Sequence, residues 1–201
     1  LSSADQAHPM LADATPLPPR RILVTGANGQ LGRALRAIWT DEEALFVGRD
    51  NFDITAPPEL DWSEYWAVVN CAAYNDVNGA ETDRATAWAT KATAPAALAR
   101  LADEHDLTFV RVSSDYIFDG TVEVHDETEV PSPLSAYGAS KAAGDTAAQT
   151  ARKHYVIRTS WVFGDGANFM ETMAQLAEKG ATPKVVSCLL YTSPSPRDAT
   201  L

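Results

Sequence analysis

A tyrosine and a lysine one helical turn apart are the residues of this chain whose chemistry is easiest to state. They lie four positions apart in the stretch Tyr137-Gly-Ala-Ser-Lys141, and residues with this spacing share one face of a helix. A free tyrosine has a pKa of about 10, and a nearby cation stabilises the phenolate and lowers that pKa toward the working range. The pair predicts proton transfer to a substrate oxygen, with an exposed surface pair as the alternative for so short a motif.

A glycine-rich turn near the start of the chain has the residue types that bind phosphate. Gly26-Ala-Asn-Gly29-Gln-Leu-Gly32 follows a short apolar run and precedes leucines at helical spacing. Backbone N–H groups and the positive end of the helix dipole can hold a pyrophosphate there. The GxxGxxG spacing is one residue wider in its first gap than the dehydrogenase fingerprint. The strand before and the helix after the turn favour dinucleotide binding over a chance turn.

Two serines lie between the glycine turn and the Tyr137–Lys141 pair in the sequence. Ser113 and Ser114 follow a predicted strand over residues 108–112, where a hydroxyl could donate a hydrogen bond to the carbonyl oxygen that the tyrosine protonates. A serine after a strand is also a common turn former. The order of glycine turn, strand-end serines and Tyr137–Lys141 pair favours the catalytic interpretation, because the three together rarely arise by chance.

Charged residues after the second predicted strand bear on the choice of cofactor. Gly48-Arg49-Asp50 is followed by Asp53-Ile54. A carboxylate there would bind the ribose 2′-hydroxyl of NADH, whereas an arginine would favour the 2′-phosphate of NADPH. A solvated charged turn remains an alternative for either residue. We expect NADPH, with NADH also accepted.

The elements that must position these residues alternate between strand and helix. Short apolar runs predict strands, and helix-favouring segments lie between them, one of them broken by Pro95. The predicted strands are 21–25, 44–47, 67–71, 108–112 and 155–158. One predicted helix begins just after the glycines, and the others cover 81–103, 136–153 and 168–179. This alternation predicts an α/β fold, a Rossmann-like doubly wound parallel sheet.

Composition narrows the function classes. Acidic residues outnumber basic ones 27 to 16, for a net charge of −11, which disfavours nucleic acid as a partner because phosphate contacts dominate that affinity. No apolar stretch is long enough to span a membrane, and no signal peptide is recognisable at the start. Cys71 and Cys188 lack metal-ligand spacing. We therefore expect reduced thiols, no metal and a cytoplasmic location.

Longer segments around these motifs resemble a known family. The chain is similar to extended short-chain dehydrogenase/reductases and, within them, to the dTDP-4-dehydrorhamnose reductase family, over roughly Arg20 to Ser187. The matching segments are Val24-Thr-Gly-Ala-Asn-Gly-Gln-Leu-Gly32, Val69-Asn-Cys-Ala-Ala-Tyr74, Ser113-Ser-Asp-Tyr-Ile-Phe-Asp-Gly120, Tyr137-Gly-Ala-Ser-Lys141, and Arg158-Thr-Ser-Trp-Val-Phe-Gly164 with Asn168-Phe169.

This resemblance implies a reaction and roles for the residues. NADPH would reduce the 4-keto group of dTDP-4-dehydro-L-rhamnose to give dTDP-L-rhamnose, with Tyr137 as proton donor, Lys141 holding the nicotinamide ribose and tuning Tyr137, and Ser114 orienting the carbonyl. The implied cofactor-binding residues are Gly26, Asn28, Gly29, Gln30, Leu31, Gly32, Arg49, Asp53, Ile54, Ala72, Ala73 and Tyr74, together with Tyr137 and Lys141. The implied substrate-binding residues are Asp115, Tyr116, Phe118, Trp161 and Asn168, although core packing is an equal alternative for the three aromatic side chains.

The chain departs from the family pattern at three positions and at its carboxyl end. Asn75 and Asn78 stand where threonine and aspartate are usual, and Lys91 stands where relatives carry asparagine. Residues 188–201 match nothing in the family and resemble a translated adapter sequence, with a proline-rich tail as the alternative. We thus expect a linker over residues 1–20, a cofactor-binding domain over residues 21–187, and a substrate-binding carboxyl-terminal part that is largely missing.

The sequence leaves the partners and the rival functions open. The proline-bearing start is similar to a linker that follows a fused dTDP-sugar 3,5-epimerase domain, and a homodimer is also open. One rival function is a non-catalytic subunit like the regulatory subunit of methionine adenosyltransferase, against which Tyr137 and Lys141 argue. Another is a sugar-nucleotide epimerase or dehydratase with tightly held NAD, which the segment Arg158-Thr-Ser-Trp161 disfavours.

Overall fold

Strands and helices alternate along the chain in the computed structural model, which describes residues 19–122, 124–166 and 168–181. The strands are β1 Arg21–Thr25, β2 Ala44–Val47, β3 Tyr65–Asn70, β4 Thr108–Ser114 and β5 His154–Thr159. The α-helices are α1 Gln30–Arg36, α2 Gly79–Thr82, α3 Arg84–Trp88, α4 Ala94–Glu104, α5 Ala136–Ala148 and α6 Phe169–Glu178, with a π-helix at Ala89–Thr93 and 3₁₀ turns at Trp62–Glu64 and Asp115–Ile117. The predicted tail lies outside the described residues, as does nearly all of the predicted linker.

The five strands form one parallel sheet in the order β2-β1-β3-β4-β5. The chain crosses from β2, at one edge, back past β1 to β3, so the direction of winding reverses between β1 and β3. In open α/β sheets, ligands bind outside the carboxyl ends of the strands at such a reversal. The predicted doubly wound α/β fold is confirmed, and its switch point lies directly after β1 and β3.

Alternating side chains of the strands build a core on each face of the sheet. Leu23 and Val68 face one core, together with Leu98 of α4. Ile22 and Val24 face the other. Both faces are therefore covered by apolar packing, as parallel strands require.

The helical segment predicted over residues 81–103 is interrupted, as Pro95 predicts, but the interruptions lie before that proline. It is divided into α2, α3, the π-helix and α4, and Pro95 lies in the first turn of α4. Proline has no N–H, so the carbonyl of Lys91 four residues earlier loses its regular helical donor. Arg111 of β4 donates from Nη2 to that carbonyl at 2.8 Å. A side chain from the sheet thus satisfies the carbonyl at the place where the helix is irregular.

Neither a membrane-spanning helix nor a metal-binding cluster is found among the residues that the structure describes. None of the helices there is long and apolar enough to cross a membrane. Nor do those residues contain a group of His, Cys, Asp and Glu side chains arranged to hold a metal ion.

Candidate active site at the carboxyl edge of the sheet

Two adjoining cavities lie at the carboxyl ends of the strands. The glycine cavity, of about 280 Å³, is bordered by the glycine turn and the loop after β2. The tyrosine cavity, of about 440 Å³, is bordered by α5, the end of β4 and the loop after β5. The residues common to both walls are Gly29, Cys71, Ala72, Ala73 and Asn75. The two cavities therefore meet at the switch point of the sheet.

The backbone at the switch point is packed too tightly for any side chain on Gly26. Its φ is +73°, and a Cβ there would lie 2.5 Å from the nitrogen of Ala72. The side chain of Asn70 fixes this junction, because its Oδ1 accepts hydrogen bonds from Thr25 Oγ1 at 2.8 Å and from Ala72 N at 3.1 Å. Strands β1 and β3 are thus tied together directly beneath the cavities.

Substitution of Gly26 by alanine tests this close approach. We expect the free energy of unfolding to fall by about 3 kcal/mol, because left-handed backbone costs an alanine roughly 1–2 kcal/mol and a collision with backbone adds a similar amount. Gly180 is a matched control, since its φ is +65° with nothing within 4 Å of the added Cβ. Urea unfolding of both variants should show Gly180→Ala losing only the backbone part. Equal losses would contradict the predicted collision.

The predicted cofactor-binding residues divide between the two walls. Those on the glycine cavity are Gly26, Asn28, Gly29, Arg49, Asp53, Ile54, Ala72, Ala73 and Tyr74. Those on the tyrosine cavity are Gln30, Leu31, Tyr137 and Lys141, with Gly29, Ala72 and Ala73 shared. Gly32 lines neither wall; it is buried in α1, and a Cβ there would lie 2.7 Å from Cα of Ala27. The lack of a side chain at Gly32 thus lets α1 pack closely against the glycine turn.

Arg49 and Asp53 hold different positions at the rim of the glycine cavity. The Asp53 carboxylate accepts hydrogen bonds from the hydroxyl of Thr55 at 2.7 Å and its N–H at 2.8 Å. These bonds lower the pKa of Asp53. Arg49 is 84 % exposed and lies 3.8 Å from that carboxylate. The carboxylate is thus occupied by its own loop, while the guanidinium extends into solvent beside the cavity.

Helix α5 places Tyr137 and Lys141 on the wall of the tyrosine cavity. The helix begins there because Ser135 accepts a hydrogen bond from the N–H of Gly138 at 3.0 Å, which is an N-cap. Both side chains are buried, and the Lys141 ammonium donates to the carbonyl of Val112 at 3.0 Å. The one-turn spacing read from the sequence therefore brings a phenol and an ammonium to one cavity.

Burial dominates the acid–base properties of the pair. It raises the pKa of Tyr137 to about 12, with Tyr116 and Asp115 adding to the rise and Arg111 opposing it. It also lowers the pKa of Lys141 to about 8, aided by Arg111. The expected lowering of the Tyr137 pKa by Lys141 is not found in this structure. At neutral pH Tyr137 is a protonated phenol, the form that a proton donor needs.

The strand-end serines have separate contacts. Ser113 Oγ donates to buried Asp145 at 2.6 Å. Ser114 Oγ donates to Asp115 at 2.9 Å, and Asp115 also accepts from Ser160 at 2.7 Å. Ser114, Asp115 and Ser160 all line the tyrosine cavity. This wall therefore carries a hydroxyl and a carboxylate beside the phenol.

The predicted substrate-binding residues are only partly brought together. Tyr116 lines the tyrosine cavity, with its ring edge-on to Tyr137 at 5.4 Å between centroids. Trp161 lines it too, from a strained left-handed backbone with φ +49°. Phe118 lies outside both walls, because its ring is buried against His125 with the Arg158 guanidinium over it. Asn168 is also outside, since its amide caps α6 and donates to the carbonyls of Gly164 and Gly166.

Several wall residues were not predicted from the sequence. Thr86 and Thr90 reach the glycine cavity from α3 and the π-helix. Cys71 borders both cavities, and burial raises the pKa of its thiol to about 11, so it is neutral there. Small polar side chains on a helix carry no distinctive spacing. Ser160 did have a signal, since it lies inside the Arg158-Thr-Ser-Trp161 segment.

A doubly wound parallel sheet with a glycine turn at its switch point and a buried Tyr–Lys pair beside it defines a Rossmann-like domain of the short-chain dehydrogenase/reductase type. The family profile described as the RmlD substrate binding domain matches residues 20–193. The chain belongs to this family, which confirms the resemblance seen in the sequence.

Relatives of known identity share this family. The dTDP-4-dehydrorhamnose reductase of Burkholderia thailandensis is 39 % identical over 175 residues, which are 83 % of this chain and 59 % of that protein. The crystal structure of a dTDP-4-dehydrorhamnose reductase from Clostridium acetobutylicum superimposes with a TM-score of 0.74 at 34 % identity, covering 79 % of this chain and 60 % of that one. The Bacillus anthracis enzyme, crystallised in complex with NADP, gives 0.72 at 32 % identity, covering 80 % and 60 %. This chain thus spans about 60 % of the length of these relatives.

Proposed function

We propose that this chain provides the cofactor-binding part and the proton donor of an NADPH-dependent dTDP-4-dehydrorhamnose reductase. The observation that carries the proposal is the position of Tyr137 and Lys141 on a cavity that adjoins the glycine turn. The names of the relatives support the same activity, and they favour neither the regulatory subunit nor the epimerase or dehydratase.

The walls of the glycine cavity fit a dinucleotide. The absence of side chains at Gly26 and Gly29 lets a pyrophosphate approach the first turn of α1, where backbone N–H groups have no partners within the helix. Gln30 adds a donor, since its Nε2 is buried without a hydrogen-bond partner among the described residues and its side chain borders the tyrosine cavity. Arg49 provides a cation at the outer rim.

Three residues of the tyrosine cavity have separate roles in a carbonyl reduction. Bound NADPH would supply the hydride. Tyr137, kept protonated by burial, donates its phenolic proton to the substrate oxygen. Ser114 orients that oxygen by a hydrogen bond, and Lys141 holds the ribose.

The activity test uses the full-length protein that carries this chain, with dTDP-4-dehydro-L-rhamnose as substrate. Oxidation of NADPH, followed at 340 nm, should require the keto-sugar and yield dTDP-L-rhamnose by chromatography. The matched control is dTDP-L-rhamnose itself, which has no 4-keto group and should leave NADPH unconsumed. Failure to oxidise NADPH with the keto-sugar, in a protein shown to bind NADPH, would overturn the proposal.

Arg49→Ala tests the preference for NADPH. If the exposed guanidinium binds the 2′-phosphate of NADPH, its loss should raise the Kd for NADPH about tenfold, the effect of losing one charge-assisted hydrogen bond. The Kd for NADH, which has no 2′-phosphate, should not change. Titration of nicotinamide fluorescence measures both constants, and an equal loss for both cofactors would contradict the assignment.

A further inference from the structure

Lys91 is a buried cation that the proposed function does not use. Its side chain is 1 % exposed, and Nζ has no hydrogen-bond partner among the described residues. It is carried by the π-helix Ala89–Thr93, an irregularity often found at functional sites. A lysine is seldom fully buried without a partner, because desolvation of an ammonium is costly. The burial of Lys91 without a hydrogen-bond partner therefore needs an explanation.

The ammonium of Lys91 lies on the face of the Tyr137 ring. Nζ is 3.5 Å from that ring centroid and 5.4 Å from the centroid of Tyr74. Lys91 borders neither cavity, so it reaches the site through Tyr137. The electron-rich face of a tyrosine ring attracts a cation, most strongly in a site shielded from water. A negatively charged phenolate ring attracts it more than a neutral phenol does.

We propose that Lys91 is a positioning residue for Tyr137. The Lys91 ammonium speeds proton donation by stabilising the phenolate that is left behind on Tyr137. This inference rests on the proposed role of Tyr137. In that step the carbonyl carbon accepts hydride from NADPH. The O–H bond of Tyr137 breaks and a new O–H bond forms on the sugar oxygen. Negative charge then resides on Tyr137, directly beneath the Lys91 ammonium.

The surroundings of Lys91 give this effect a pH dependence. The titratable and charged groups that act on it are Tyr74 and Asp76 after β3, Arg111 of β4, and Tyr137 and Lys141 of α5. Burial, then repulsion from Lys141 and Arg111, lowers the pKa of Lys91 to about 7, against a smaller opposing effect of Asp76. Above that pH the amine is neutral and the cation is lost. The reduction step should therefore slow as pH rises through about 7.

Single-turnover rates of NADPH oxidation in the full-length protein, measured between pH 6 and pH 9, test the proposal. The wild-type rate should fall roughly tenfold across the Lys91 titration, the size of a buried cation–π contact. Lys91→Met, of similar length without charge, should already be slow at pH 6 and should show no fall in rate near pH 7. Lys91→Arg keeps its charge at every pH used, so it should be fast at pH 6 and should also show no fall near pH 7. Lys153→Met, at an exposed lysine, is the matched control and should follow the wild type.

A second readout needs no activity. In the chain labelled with ¹³Cζ-tyrosine, the Tyr137 resonance, assigned by its loss in Tyr137→Phe, should shift as pH passes through about 7 and should not do so in Lys91→Met. Lys141 titrates in every variant, so the difference between wild type and Lys91→Met is the decisive quantity.

The proposal is overturned if Lys91→Met keeps the wild-type pH profile, or if the Tyr137 resonance titrates identically in both proteins. These two comparisons test the proposal even if the Lys91→Arg variant does not fold. Full activity of Tyr137→Phe would instead overturn the proposed function, so the two failures are distinguishable.

Discussion

Replacing Tyr137 by phenylalanine is expected to lower kcat/KM for reduction of the keto-sugar by roughly 10²- to 10⁴-fold, the usual contribution of a positioned general acid. The substitution removes only the hydroxyl. The ring remains to fill the space beside Tyr116 and beneath Lys91, so the fold and the cavity should persist. The loss should therefore appear in the chemical step rather than in folding, and steady-state oxidation of NADPH by the full-length protein measures it.

Two controls separate the loss of an acid from a general disturbance. The Kd of NADPH should be close to that of the wild type, because the glycine cavity is untouched. Tyr155→Phe makes the same chemical change on the outer side of β5, at a side chain that is 65 % exposed, and should leave kcat/KM unchanged. Turnover by Tyr137→Phe within threefold of the wild type would exclude Tyr137 as the proton donor.

The sequence predicted an element correctly where the residues of that one segment determine its structure. Strand β1 was predicted over residues 21–25 and β2 over 44–47, and both were found there. Each is a short apolar run that ends at glycine or a charged turn. The spacing of Tyr137 and Lys141 likewise needed only a regular helix, which the Ser135 cap begins.

The irregular helix could not be read from one segment. Pro95 alone predicts a kink or break, but the carbonyl of Lys91 in the π-helix accepts its hydrogen bond from Arg111, which comes from β4. The burial of Lys91 against Tyr137 is likewise a contact between distant parts of the chain. From the sequence Lys91 was noted only as a departure from the family pattern.

Two of the predicted substrate-binding residues lie outside both cavities for a similar reason. Phe118 and Asn168 belong to segments that the family shares, and a shared segment does not say whether a side chain faces the cavity or the interior. Phe118 packs beneath Arg158, and the side-chain amide of Asn168 caps α6. By contrast, Tyr116 and Trp161 border the tyrosine cavity.

A buried ion pair behind the catalytic wall gives the largest expected effect on stability. Asp145 of α5 is 1 % exposed. Its carboxylate accepts from Arg111 Nε at 2.8 Å and from Ser113 Oγ at 2.6 Å. Arg111 also donates to the carbonyls of Lys91 and Lys141 at 2.8 Å and 3.1 Å. Asp145 thus neutralises the cation that joins β4, the π-helix and α5.

Asp145→Ala is expected to lower the free energy of unfolding by about 3–5 kcal/mol, since it leaves the Arg111 guanidinium buried without a counter-charge. Urea unfolding of the chain near neutral pH, followed by circular dichroism, measures the loss. The matched control is Glu104→Ala, which removes an acid from an exposed pair with Arg100 at 3.7 Å. That variant should lose no more than about 0.5 kcal/mol.

A double variant separates the missing charge from the missing packing. If the cost of Asp145→Ala comes from an unpaired guanidinium, replacing Arg111 by methionine in the same chain should restore part of the lost stability, because the buried charge of Arg111 is then removed. A purely steric role for Asp145 predicts the opposite, since shortening Arg111 to methionine would add a second cavity and a second loss. Recovery on adding Arg111→Met would thus assign to Asp145 the electrostatic support of the wall that holds Tyr137 and Lys141.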